Sequence, residues 1–168
     1  MHVSVIIPTH NEAQAIGRVL ADLPADIVTE VLVVDSNSTD GTTEIAETMG
    51  ARILREPRRG YGRACLTGLA AARAPDVVVF LDGDYSDRPD ELPLLLTPIT
   101  EGRADITLGS RLTTQNIRGA LPWHSIPSGV LATETGPTFA LEEIRSAAAL
   151  ADQVGRGGKV FLRLDMGG

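Results

Sequence analysis

Cysteine is almost missing from this chain: Cys65 is the only one in 168 residues. A lone thiol excludes an internal disulfide framework and fits a reducing, cytosolic setting. Basic residues are outnumbered, with 15 Lys and Arg against 22 Asp and Glu and a net charge of −7. No run of Lys and Arg stands out except Arg55, Arg58, Arg59 and Arg63, a balance that argues against a nucleic-acid binder. No apolar run approaches the roughly 18 residues of a membrane span. The expected membrane contact is therefore peripheral at most. The start, Met1-His-Val-Ser-Val-Ile-Ile, has neither a charged leader nor a cleavage site, so no signal peptide is expected there. What remains is ordinary: 43% hydrophobic and 22% charged residues, enough for a soluble domain with a real core.

Two phosphate-binding signatures are also lacking. The segment after the first apolar run reads Pro8-Thr-His-Asn-Glu-Ala-Gln14, with no glycine. The G-x-G-x-x-G cradle of dinucleotide enzymes is therefore excluded. No G-x-x-x-x-G-K-[ST] string exists either, which excludes a P-loop.

The elements present alternate in type. Val3 to Ile7, closed by Pro8, is predicted as a strand, as are Val31 to Val34, Ala51 to Leu54, Val77 to Leu81 and Ile106 to Leu108. Between them, helices are predicted over Asn11 to Leu23 (with Asn11 as N-cap), Gly41 to Met49, Ala64 to Ala72 and Pro89 to Thr100. This order predicts an α/β fold, a mainly parallel sheet with helices on both faces. Leu112 to Pro137 is polar, rich in Thr, Pro and Gly, has no clear period and is unusually long for a structureless loop in a compact domain. One helix (Leu141, Ile144, Ala148) and one strand (Lys159 to Leu162) are predicted near the end.

The candidate chemistry sits where strands stop. Val77-Val-Val-Phe-Leu81 runs directly into Asp82-Gly-Asp84. On an extended chain residues i and i+2 face the same side. The carboxylates of Asp82 and Asp84 can then converge at the strand's carboxyl end, the edge where α/β sheets bind ligands. Two acids side by side repel unless a cation lies between them. Mg2+ or Mn2+, which favour carboxylate and phosphate oxygens, suit that place. The competing reading is a surface turn, for which Asp-Gly is good chemistry. Asp35 ends another strand and could accept from a ribose hydroxyl or a base N–H; otherwise it is a turn residue. Glu12 stands at a helix start and could line a base pocket or simply cap. In Arg58-Arg-Gly-Tyr-Gly-Arg63, Gly60 and Gly62 would let backbone approach a ligand, Tyr61 could stack on a ring, and the arginines could meet phosphate. Arg111 is a second phosphate candidate.

Together these motifs resemble the family-2 glycosyltransferases of the GT-A fold, the subgroup near the dolichyl-phosphate mannosyltransferases. The resemblance is carried by Val5-Ile-Ile-Pro-Thr-His-Asn-Glu12, Val33-Val-Asp-Ser-Asn-Ser-Thr-Asp-Gly-Thr42, Gly60-Tyr-Gly62, Phe80-Leu-Asp-Gly-Asp84 and Leu108-Gly-Ser-Arg111. It implies a nucleotide-sugar-binding domain over residues 1–124, with Pro8, Thr9 and Glu12 lining the nucleotide pocket. It further implies Asp35 on the base or ribose, Asp82 beside the nucleotide, Asp84 on the metal, and Arg111 on donor phosphates or acceptor. The implied donor is a UDP-, GDP- or dTDP-linked sugar. The implied acceptor is a polyprenyl phosphate or another small hydroxyl or phosphate compound. Two departures stand out: Ser86 occupies the place of a Gln ligand, and Tyr61 that of a frequent Lys. The tail, 125–168, is atypical. Phe139-Ala-Leu-Glu-Glu143 through Gly157-Gly-Lys-Val-Phe-Leu162 resembles instead the end of a quinone-reductase-type dehydrogenase. A truncated or fused donor-binding protein without transfer, and a nucleotidyltransferase, are the alternative readings. No residue is assigned as general base.

Overall fold

The computed structural model describes residues 1–110, 130–132 and 158–163, with side chains over residues 1–107. Two compact units are present, one built on Met1–Leu92 and one on Pro93–Leu162.

The first unit is a parallel α/β sheet. Its strands are β1 (Val3–Thr9), β2 (Glu30–Asp35), β3 (Arg52–Arg55) and β4 (Val77–Phe80). β1 pairs with β2 on one side and β4 on the other, and β3 adds outside β2. β1, β2 and β4 are rich in buried apolar residues because both faces of the sheet are covered, while the edge strand β3 carries exposed arginines at both ends. Ile6, Leu32, Val34 and Val78 form a cluster with Ala64 of helix α3 (Tyr61–Ala71). Val5, Ile7, Val33 and Val79 alternate with them and are equally buried. Helix α2 (Thr42–Thr48) packs on β2 and β3, and α1 (Ile16–Ala21) packs on α2.

One helical residue sets how closely α3 approaches the sheet. A Cβ at Gly68 would lie 2.4 Å from Ile6 Cγ2 and 3.1 Å from Val34 Cγ2. The helix therefore meets the strands backbone to side chain, with no room for a methyl.

The chain leaves β1 for β2 and β3 on one side and returns to β4 on the other. The carboxyl ends of β1 and β4 thus flank a topological switch point, where open α/β sheets hold ligands. Pro8 continues β1 instead of closing it. Its ring is tolerated because Ile6 O accepts from Leu81 N at 3.1 Å, so the even positions of β1 face β4, and β4 has ended at Phe80 by the level of Pro8.

Several expected boundaries move. Asn11 is not the N-cap of α1: its φ is +59, its side chain serves another loop, and the helix starts at Ile16. Tyr61, read as loop, opens α3, after Gly60 at φ +140, a value that side-chain-bearing residues rarely adopt. Pro89–Glu91 forms a 3₁₀ turn before α4 (Leu92–Thr100).

The second unit pairs β5 (Ile106–Ser110) antiparallel with β6 (Val130–Ala132) and with β7 (Gly158–Arg163). Thr107 is buried against α4 and its hydroxyl donates to Leu95 O at 2.9 Å. The strand expected at 159–162 is present, whereas β6 falls in a stretch where the sequence shows no clear period. Three residues are too few to give a period. The helix expected around 141–148 lies outside the described residues. Among the described residues no helix is long and apolar enough to cross a membrane.

Candidate functional site

Three loops gather at the carboxyl edge of the parallel strands. Residues 10–13 follow β1, residues 36–42 follow β2, and residues 81–88 follow β4. The first two are joined rung by rung. His10 Nδ1 donates to Ser36 O at 2.7 Å, Asn11 N to Ser38 Oγ at 2.9 Å, Glu12 N to Thr42 Oγ1 at 2.8 Å and Ala13 N to Asp40 Oδ2 at 3.0 Å. Thr39 N returns a bond to Asn11 Oδ1 at 2.9 Å. At about 1 kcal/mol each, five such bonds roughly offset the 1–2 kcal/mol per residue needed to fix four backbones. The polar run Ser36–Thr42 is therefore the frame of the site.

The loop after β4 closes on itself beside that frame. Asp82 N donates to Asp87 Oδ2 at 3.1 Å, and Ser86 N to Asp84 Oδ1 at 2.9 Å. The chain turns at Gly83 and Asp84, so the two acids do not extend the strand's alternation as the sequence suggested. They are still brought to one place. A Cβ on Gly83 would lie 2.9 Å from Thr9 Cγ2, 3.4 Å from Glu12 Cγ and 3.5 Å from Pro8 O. Burial raises the Glu12 pKa above its ordinary value, and the charges of Asp84, Asp40 and Asp82 add to the rise. Asp82 and Asp84 therefore lie within electrostatic reach of Glu12, on either side of the Gly83 that packs against Thr9 and Glu12. Asp84 is exposed and Asp82 half-buried.

Thr9 Oγ1 is buried without a hydrogen-bond partner, an uncommon condition in a folded protein. It lies on the residue that touches Gly83. Among the described residues no group of three or more acids, histidines or cysteines is placed to hold a metal ion, so any ion here would rest on two carboxylates and on oxygens from outside the protein. Two hard carboxylate donors at a ligand-accessible edge fit Mg2+ or Mn2+, which keep water and phosphate oxygens as further ligands.

The other expected site residues divide. Asp35 ends β2 opposite Thr9 and is buried, with both oxygens 3.2 Å from Ser38 N. A carboxylate retains acceptor capacity beyond one N–H. Gly60 opens α3 and accepts from Arg63 N and Ala64 N, both at 3.1 Å. Tyr61 is half-exposed, yet burial of its hydroxyl raises the pKa, as do Cys65, Asp82 and Asp87 nearby. That hydroxyl lies within electrostatic reach of Asp82 and Asp87 in the acidic loop. Arg111 lies outside the described residues.

Sequence reasoning passed over Asp40, Thr42, Glu56 and Asp87. Asp40 and Thr42 carried a usable signal, since Asp and Thr around a glycine at a helix start are turn and cap chemistry. Glu56 carried none. It is buried, accepts Arg58 Nε at 2.9 Å and Arg58 N at 3.1 Å, and takes the Thr67 hydroxyl at 2.9 Å. Arg58 next to it lowers its carboxyl from 4.5 to about 2. A depressed acid stabilises the fold above its unfolded pKa and loses that contribution as pH falls through the folded value. Wild type should therefore lose thermal stability from about pH 4.5 towards 2, and Glu56→Gln should flatten that slope in melts across the same range. Parallel slopes for the two proteins would contradict this.

Comparison with known proteins places these features in context. The model of the family described as glycosyl transferase family 2 matches residues 4–155. An uncharacterized glycosyltransferase of Mycobacterium tuberculosis is 39% identical over 121 residues, covering 72% of this chain and 53% of its own. A dolichyl-phosphate hexose transferase of Haloferax volcanii is 44% identical over 115 residues, covering 66% of this chain and 48% of its own. The chain thus spans about half the length of these relatives. Among solved structures, glucosyl-3-phosphoglycerate synthase of M. tuberculosis, in complex with Mn2+, UDP and glucosyl-3-phosphoglycerate, superposes with a TM-score of 0.57 at 32% identity. That match covers 62% of this chain and 42% of the synthase.

Proposed function

Because the chain belongs to glycosyl transferase family 2 and has the GT-A fold, we propose that it binds a nucleoside diphosphate sugar in the presence of Mg2+ or Mn2+ and transfers the sugar. The observation that carries this is the meeting of Asp82-Gly83-Asp84 with Thr9 and Glu12 at the switch point. Related structures hold UDP and Mn2+, which supports the same ligand class here.

In this reading Asp84 and Asp82 hold the metal. A bound divalent ion supplies positive charge against the diphosphate oxygens of the leaving nucleotide. Gly83 leaves room at the end of β1, and Pro8, Thr9 and Glu12 form the wall beside it. Asp35 accepts from the base or ribose, and the stitched loops keep that wall rigid before any ligand arrives, which lowers the entropic cost of binding. Gly60 allows backbone to approach the ligand, and Arg111 meets the donor phosphates or acceptor. We assign donor binding to residues 1–124 and none of it to 125–168. For the acceptor we favour a polyprenyl phosphate or another small hydroxyl or phosphate compound. An anionic acceptor oxygen would attack without a protein base. A lipid acceptor would bring a cytoplasmic protein to the membrane surface.

The test is incubation of the full chain with UDP-, GDP- and dTDP-linked hexoses, Mn2+ and a polyprenyl phosphate. Release of nucleoside diphosphate together with a glycosylated lipid is expected. Binding with neither transfer nor donor hydrolysis would reduce the chain to a donor-binding protein, and release of pyrophosphate would mark nucleotidyl transfer.

A further inference from the structure

Tyr85 follows Asp84 directly and holds φ at +61, a left-handed conformation that aromatic residues rarely adopt. Such a backbone persists only where its surroundings hold it. Here both ends of the side chain are held. The hydroxyl donates to Asp22 Oδ2. The ring lies under the Arg18 guanidinium, 3.9 Å from carbon to ring centroid. Arg18 belongs to α1 and Asp22 caps that helix, its N–H bonded to Arg18 O. Both anchors thus come from a regular element packed on α2.

The next bond along the chain is the one that shapes the acidic turn: Ser86 N donates to Asp84 Oδ1 at 2.9 Å. The peptide between Asp84 and Ser86 passes through the strained Tyr85 backbone. Its orientation therefore follows from where the Tyr85 ring is pinned. We propose that Tyr85, clamped by Arg18 and Asp22, is the positioning residue that aims the Asp84 carboxylate at the metal. This rests on the donor reading above. It adds a link from α1 to the ion that neither the acidic motif nor the family match contains.

The experiment reads metal directly. Mn2+ is titrated into the full-length chain and followed by the loss of the free-ion EPR signal. The titration is run on the protein alone and on the protein saturated with whichever of UDP, GDP or dTDP wild type holds best. Calorimetry gives the metal-free affinity of that nucleotide. Tyr85→Phe keeps the ring under Arg18 but loses the bond to Asp22, and Asp22→Ala removes the same bond from the other side. Each should weaken Mn2+ binding in the nucleotide complex about tenfold, the effect of one charge-assisted hydrogen bond. Asp22→Asn, whose amide oxygen still accepts, should stay within about threefold of wild type. Tyr85→Gly adopts the left-handed backbone without strain, so it tests loss of the anchor in a protein that folds, and it should also lose about tenfold. Metal-free nucleotide affinity should be unchanged in all four.

Unchanged Mn2+ affinity in Tyr85→Phe and Asp22→Ala would overturn the proposal. Equal losses with and without metal would also overturn it, because a general structural role lowers both. Wild type that binds neither Mn2+ nor any of the three nucleotides would instead overturn the donor reading on which the proposal stands.

Discussion

Asp84→Ala is expected to remove the metal-dependent part of nucleoside diphosphate binding, by at least about a hundredfold, while the protein stays folded. Residues that merely orient a metal ligand typically contribute 10–100-fold, so loss of a ligand from a two-carboxylate site should exceed the top of that range. The fold should not suffer, because Asp84 is exposed and its bond from Ser86 N is a local turn contact. Exposed substitutions of this kind usually change stability by less than about 0.5 kcal/mol. Removing Asp84 also relieves repulsion on Glu12, whose pKa it helps to raise. The Glu12 carboxyl should then titrate closer to its ordinary range, a shift that NMR titration of the variant can read. A melting temperature that falls together with the affinity would mean that Asp84 serves the fold.

Gly68→Ala is expected to be the most damaging small substitution in the chain. An alanine normally helps a helix by up to about 1 kcal/mol relative to glycine. At Gly68 the added carbon would stand 2.4 Å from Ile6 Cγ2, with Ile6 Cγ1 a further neighbour at 3.2 Å. Ile6 is fully buried at the centre of the sheet, and its β-branched side chain has little freedom to turn away. Overpacking of this kind typically costs about 1–3 kcal/mol, so the clash outweighs the propensity gain. Gly62→Ala on the same helix supplies the control, since among the described residues nothing lies within 4 Å of its added carbon. That variant should be neutral or slightly stabilised in urea unfolding, and Gly68→Ala clearly destabilised. Equal midpoints would show that α3 is not seated on β1 as described.

The parts of the site that could be read from the sequence are those fixed by local pattern. Val77 to Leu81 is an apolar run, so the position of Asp82 at a strand end followed directly. The parts that could not be read depend on partners far along the chain. Tyr85 meets Asp22 across 63 residues, and Asn11 meets Ser38 across 27. Asn11 looked like a helix cap because capping residues and loop-bridging residues are the same types. Glu56 gave no sign of its role, since burial of an acid beside Arg58 and Thr67 depends on how β3 and α3 pack. The extended geometry assumed for Asp82 and Asp84 failed for a related reason. The Asp87 carboxylate accepts from Asp82 N where the loop turns, and both acids remain within electrostatic reach of Glu12.

Isothermal titration of UDP, GDP and dTDP into the full-length chain, with Mn2+ and after complete chelation, tests the central assignment most directly. At least one nucleotide should bind with Mn2+ and bind at least about a hundredfold more weakly without it, and Asp84→Ala should erase that difference. Equal affinity with and without the ion, or a metal effect that survives in Asp84→Ala, would contradict the placement of the metal at Asp82-Gly83-Asp84.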